Sequence, residues 1–232
     1  MAVSSPVFHR LTIVALLLLT FATGLADAIS VLVLGHVFVA NMTGNVVFLG
    51  FWFVKSNIDL TAGLVAFSGF LTGAVIGGRL LRTLGHRPRR WITTVLGIEV
   101  INLVVLSSLA GAGILHYNDN TKLFLLGGLA VTFGMQNASA REFGIQELST
   151  TVLTSTIVAI GADSRLAGGS GHREGLRYSV ILSMCGGAIL GATLSKVIVA
   201  PVLALAAAVI AISLLIFRFG PADRKTPEAL TS

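Results

Sequence analysis

The sequence predicts an all-α membrane protein in which six transmembrane helices and two re-entrant half-helices form an inverted 3+3 repeat. That expectation stands on apolar runs of membrane-crossing length, a lopsided distribution of Lys and Arg, and an ordered likeness between the two halves. Of 232 residues, 54% are hydrophobic and 11% charged, against about 25% charged in a soluble domain. A mean hydropathy of +0.90 excludes an ordinary soluble enzyme and a disordered chain. The net charge of +6 sits between apolar runs, and no continuous basic face exists for nucleic acid. The single cysteine, Cys185, excludes an internal disulfide.

A crossing helix needs about 20 mostly apolar residues. Segments 11–34, 60–81, 91–114, 123–140, 178–196 and 199–217 qualify. Segments 37–54 and 148–162 are shorter and polar inside: one carries Asn41-Met42-Thr43-Gly44-Asn45, the other Ser149-Thr150-Thr151 and Thr154-Ser155-Thr156. Each fits either a full span or a half-helix that returns to its own side.

Charge decides between them, because cytoplasmic loops carry the excess Lys and Arg. Eight full spans divide the sixteen basic residues nine to seven. Six spans with two re-entrant segments leave Lys55, Lys122 and Lys196 outside and thirteen inside. Six spans with both termini cytoplasmic is the better reading. Arg10, the following Leu-rich run and Ala26-Asp27-Ala28 resemble a cleavable signal. The apolar run continues to Leu34, however, which fits a retained span.

The halves match in order: Gly24 to Ala28 with Gly134 to Ala138, Thr43 to Asn45 with Thr154 to Thr156, and Gly69, Gly73, Gly77 with Ser183, Gly187, Gly191. Each half, 11–114 and 121–218, is a span, a re-entrant segment, a small-xxx-small span and a final span. Three crossings invert the second half. Residues 1–10 form a cytoplasmic N-terminus and 219–232 a polar, Pro-containing tail expected to be disordered.

Half-helices starting near Thr43 and near 151–154 would point their N-termini at one mid-membrane place. Irregular backbone there is tolerated only inside protein or beside a cavity. Asn, Thr and Ser cap helix N-termini, and the positive dipole ends suit an anion or a neutral polar solute. Asp27, Asn41, Thr43, Asn45, Gln136, Asn137, Thr151, Thr154 and Thr156 are the candidate solute-binding residues. Packing between helices is the competing reading.

Ionisable groups inside spans are costly and commonly functional. Asp27, whose repeat mate is Asn137, has three candidate roles: solute ligand, carrier of a coupling proton, or acceptor for half-helix amides. Glu99, with Asn102 one turn on and an expected shared partner, is the second candidate for coupling. Asp163 is expected to pair with Arg165 or Arg141. The Gly69, Gly73, Gly77 stripe marks close helix packing, within the chain or across a homodimer. The run from Arg82 to Arg90 fits anionic headgroups.

His9, His36, His86, His116 and His172 lack metal-ligand spacing, and no nucleophile–base set can be assembled, so no catalytic residue, metal or cofactor is expected.

Thr23-Gly24-Leu25-Ala26-Asp27-Ala28, Gly35-His36-Val37-Phe38, Ala40-Asn41-Met42-Thr43-Gly44-Asn45, Gly134-Met135-Gln136-Asn137-Ala138 and Thr150-Thr151-Val152-Leu153-Thr154 resemble the signature stretches of the YoaK family. These are bacterial membrane proteins carrying the domain of unknown function 1275. The resemblance runs over essentially the whole chain. It implies a polytopic inner-membrane protein and transfers no biochemical function. The half-helix junction and its polar residues carry the functional expectation instead: a channel or secondary transporter for a small neutral polar or anionic solute, with no enzyme activity and no nucleic-acid partner. A non-transporting scaffold or partner subunit is the alternative.

Overall fold

The computed structural model describes residues 9–53, 59–117, 120–143, 153–169, 173–195 and 199–221. Among them all regular structure is helical: α1 (His9–Ile29), α2 (Met42–Leu49), α3 (Leu60–Leu84), α4 (Pro88–Gly111), α5 (Lys122–Ala140), α6 (Leu153–Ala162), α7 (Glu174–Ser195) and α8 (Val199–Phe219). Six helices, including α1 with its extension to Leu34, are long and apolar enough to cross a membrane, while α2 and α6 are too short. The candidate Thr151 and the tail from 222 onward lie outside the described residues.

Local chemistry sets several helix ends. Asp59 caps α3 by accepting the Ala62 amide at 3.0 Å, which pairs one of the amides a helix start leaves open. Pro88 opens α4 three residues ahead of the expected start, because a first-turn proline has no amide to waste. Arg89 thereby enters the helix and donates to the carbonyls of Arg218 (3.2 Å) and Gly220 (2.6 Å) at the end of α8. Part of the basic run read as a lipid contact is thus a C-terminal cap.

Glycines position the bundle. In α3, a Cβ on Gly69, Gly73 or Gly77 would lie 3.0, 2.0 and 3.0 Å from the carbonyls of Gly127, Val131 and Met135 in α5. The numbers rise together, so α3 and α5 run parallel with backbones in contact. Gly134 of α5 returns the fit, its Cβ position 2.1 Å from the Phe70 carbonyl. A second pair repeats this: Gly187 and Gly191 of α7 meet Phe21 and Leu25 of α1, and Gly24 meets Met184. The Ser183 hydroxyl adds a bond to the Leu17 carbonyl at 2.6 Å. Apolar lipid gives helices no hydrophobic reason to associate, so small residues that let backbones approach carry the packing. The small-xxx-small stripes are therefore consumed inside the chain.

Between α4 and α5 the numbers run oppositely: Leu106 lies against Gly128, and Asn102 donates to Gly128 (3.0 Å) and Thr132 (2.6 Å). The same holds for α4 and α8, where Ser107 bonds Ala200 and Gly97 meets Leu214. Gly35, just past α1, lies against Ala62 near the start of α3. Thr23, earlier in α1, is level with Gln136 of α5, whose near neighbour Gly134 meets Phe70 farther along α3. Helices α1, α4 and α7 therefore run one way, and α3, α5 and α8 the other. Two-thirds of the most apolar window of α1 and of α5 is buried, against 22–44% for the other four long helices. Those two form the centre. The outer helices expose Leu64, Leu71, Ile101, Leu182 and Ile189, an apolar girdle of the kind that lipid covers.

Candidate functional site

Where α1 ends, its last turn widens into a π-helical turn, Ser30–Leu34, a distortion frequent beside functional sites. The chain then reverses through Gly35 (φ 154°) and His36 (φ 59°). Gly35 has a second reason to lack a side chain: a Cβ there would lie 2.8 Å from that of Ala62.

Segment 37–41 passes back beside α1 without helical hydrogen bonds of its own, and buried side chains satisfy it. The Asp27 carboxylate accepts the amides of Val39 (2.9 Å) and Ala40 (3.0 Å) and the side-chain amide of Asn41. Ser30, one turn beyond Asp27, donates to the Val37 carbonyl at 2.5 Å. From α2, Asn45 accepts from the Phe38 amide (2.8 Å) and donates to the Phe38 carbonyl (2.6 Å). Buried polar groups need such partners, and bonds to an ionised acceptor are the stronger kind. Gly44 completes the fit, since a Cβ there would strike the Phe38 ring at 2.7 Å.

Of the three roles open to Asp27, the geometry is that of an amide acceptor. Asn41, Gly44 and Asn45 likewise hold the reversed segment. Thr43 differs: it is exposed, and its hydroxyl has no hydrogen-bond partner among the described residues. Thr154 matches it, being exposed, unbonded and, like Thr43, second in its short helix. Helix α2 packs mainly on α3, and α6 on α7.

In the second half, Asn137 donates to the Phe133 carbonyl of its own helix at 2.9 Å and Thr156 is buried. Gln136 crosses to α1 and donates to Thr23 Oγ1 at 3.1 Å, leaving its buried Oε1 without a donor. The segment 144–152, which leads into α6 and includes Thr151, lies outside the described residues.

Two pairing expectations change. Glu99 and Asn102 share no partner: Asn102 bonds to α5, while Glu99 is fully buried with neither oxygen hydrogen-bonded. Asp163 pairs with Arg177 of α7 at 2.6 Å, rather than with Arg165 or Arg141. Arg177 also donates to the Ala159 carbonyl at 2.8 Å, so it clamps the end of α6. Charge counting treated Arg177 as a topology marker, and only packing reveals its task. Ser30 was legible in principle, lying three residues from Asp27 on one helix face.

A groove of about 350 Å³ opens between α4 and α8, walled by Val100, Val104, Ser107 and Ser108 on one side and Ala204, Ala207, Ala208 and Ala211 on the other. Its walls are almost wholly apolar and include none of the candidate residues.

Comparison with known proteins agrees with a membrane protein. A family model described as "Protein of unknown function (DUF1275)" matches residues 15–216. The chain is 35% identical over 161 residues to the UPF0700 transmembrane protein YoaK of Bacillus subtilis (strain 168), covering 67% of each chain. No solved structure matches.

Proposed function

The chain belongs to the DUF1275 family of membrane proteins, and we propose that it is a channel or secondary transporter for a small neutral polar solute. One observation carries the reading. Each short helix presents, at its second residue, an exposed threonine with an unbonded hydroxyl, Thr43 in α2 and Thr154 in α6. The other polar residues of the Asn-Met-Thr-Gly-Asn stretch are occupied in holding the backbone. Of the described candidate residues, these two are the ones whose hydroxyls stay exposed and open to a solute.

The inverted repeat belongs to the same proposal. In its support, α1 and α5 run in opposite directions, and the contacts of Gly24 with α7 recur as those of Gly134 with α3. Since α1 and α3 also run oppositely, residues 35–59 start and finish on one side of the bundle. The same holds for 141–173 between α5 and α7. Both segments would then be re-entrant, with the termini cytoplasmic by the distribution of Lys and Arg, in a bacterial inner membrane. Irregular backbone such as 35–41 is tolerated at membrane depth when it is buried or beside a cavity.

Asp27 narrows the solute class. An anion at the start of α2 would sit near its carboxylate, and like charges about 5 Å apart repel by about 3 kcal/mol at an effective dielectric near 20. A neutral solute with hydroxyl or amide groups avoids that cost.

The test is permeation into proteoliposomes, read by stopped-flow light scattering against a panel of neutral polyols, amides and water. Wild-type protein should speed entry of at least one solute over protein-free vesicles. Thr43→Val with Thr154→Val should abolish the gain while leaving the melting temperature unchanged, because both positions are exposed. Entry at the protein-free rate across the whole panel, in either direction of the gradient, would leave the scaffold reading in place.

A further inference from the structure

Glu99 is the one acidic residue in the middle of α4, and it is fully buried. Neither carboxylate oxygen has a hydrogen-bond partner. A bare carboxylate at such a place is among the most expensive groups a protein can bury, and neutralisation by a bound cation or proton is the usual resolution.

The register between α4 and α5 says what lies beside it. Leu106 meets Gly128, and Asn102 meets Gly128 and Thr132. The helices are antiparallel, so one turn back along α4 corresponds to one turn on along α5. Glu99 therefore falls at the level between Thr132 and Gln136. Gln136 is also buried, its amide nitrogen committed to Thr23 of α1 and its Oε1 without a donor. Two neighbouring levels of the bundle thus hold three acceptor oxygens that have no donor among the described residues. A carboxylic acid supplies one O–H donor, and a single proton on Glu99 would pair with Gln136 Oε1.

We propose that Glu99 and Gln136 form a buried proton-binding site that links α4 to α5 and, through Thr23, to α1. Binding takes one proton from water onto a Glu99 oxygen, and release returns it. The protonated pair closes the gap between the helices, whereas the ionised pair sets carboxylate and amide oxygens against each other.

No other charge competes for this role. The charged groups described on α4 and the helices packed against it are Arg89 and Arg90, Arg79 and Arg82 of α3, Lys122 of α5 and Arg218 of α8. All lie within two turns of a helix end, with Arg141 just past the end of α5, while Glu99 is central. On α1, Asp27 already accepts three hydrogen bonds, from Val39, Ala40 and Asn41. A transported proton would therefore ride on Glu99 in preference to Asp27. The site itself requires no solute, and it stands whether or not the protein conducts one.

Infrared spectroscopy of the purified full-length protein in lipid nanodiscs tests this without any flux. At neutral pH the wild type should show a C=O band of a buried carboxylic acid. The band should vanish in Glu99→Gln, persist in Asp27→Asn, and move to higher frequency in Gln136→Leu, which removes the acceptor. Glu99→Gln mimics the neutral acid and should fold. If it does not, the Gln136→Leu shift still reads the native Glu99. Absence of the acid band from the wild type, its survival in Glu99→Gln, or its indifference to Gln136→Leu would each overturn the proposal.

Discussion

The carboxylate of Asp27, buried in the last turn of α1, accepts the backbone amide of Val39 at 2.9 Å, so a side chain in the first long helix carries the return of the chain toward the second. Ala40 and Asn41 bond to the same carboxylate. Leaving a buried donor unpaired costs about 1–3 kcal/mol. Asp27→Ala, which strands three, should lower stability by about 3 kcal/mol or more. Asp27→Asn keeps an oxygen for the two amides but turns its own NH2 toward that of Asn41, and should fall between. Thermal unfolding in detergent ranks the three proteins, and an Asp27→Ala variant as stable as wild type would refute the assignment.

The backbone contacts of Gly73 and Gly134 leave no space for a methyl group. Overpacking costs about 1–3 kcal/mol, occasionally more, so Gly73→Ala and Gly134→Ala should each destabilise by at least that. Both push α3 away from α5, so the double variant should lose less than the two single losses combined. Gly161 in α6 has open space where a Cβ would stand, with nothing within 4 Å. Gly161→Ala should gain about 0.5–1 kcal/mol in helix propensity. The contrast, measured in one denaturation series, separates a packing glycine from a tolerated one.

Asp59 pairs with Lys122 at 2.9 Å, joining the starts of α3 and α5. Partial burial acts to raise its carboxyl, but the Lys122 hydrogen bond and the Ala62 amide outweigh it and hold the group below its ordinary value of 3.8. A carboxyl lowered on folding contributes stability above its unfolded value and loses it as pH falls through the folded one. Acid below about 3.8 should therefore weaken this corner of the wild type, and Asp59→Asn should flatten that part of the curve. Both partners are partly exposed, so Lys122→Ala should cost under about 1 kcal/mol. Asp59→Ala should cost more, because it also removes the cap on α3.

Topology is accessible by single-cysteine labelling after Cys185 is replaced. Gly169 is a poor position, because a Cβ there would lie 2.3 Å from the Asp163 carbonyl. Leu166 is fully exposed and serves instead, with Asn57 as its opposite number. Two re-entrant segments require that an impermeant reagent reach Asn57 and not Leu166 in intact cells. Labelling of both, or of neither, would mean full spans at 37–54 and 148–162.

Hydropathy marked the six helices of crossing length, because burial in lipid demands length and apolarity and little else. The short helices were legible too: α2 begins at Met42 and α6 at Leu153, next to the Thr-rich stretches that signal a helix start. Partners were not legible. Asp27 had three candidate roles because its bonds run to backbone amides 12 and 13 residues away, and backbone amides have no sequence signature. Glu99 and Asn102 share a helix and a spacing, yet Asn102 is bonded across to α5 and Glu99 to nothing.

What the sequence determined by itself was a helical membrane protein with six helices of crossing length and two shorter, polar-headed segments, since composition and periodicity act locally along the chain. Tertiary structure decided which surfaces those helices share. Gly73 fits the Val131 carbonyl and Gly187 that of Phe21, pairings that depend on two distant backbones approaching within contact range. It also decided which polar groups are spent on the fold and which remain open. A hydrogen bond depends on distance and direction in space, and residue type alone specifies neither.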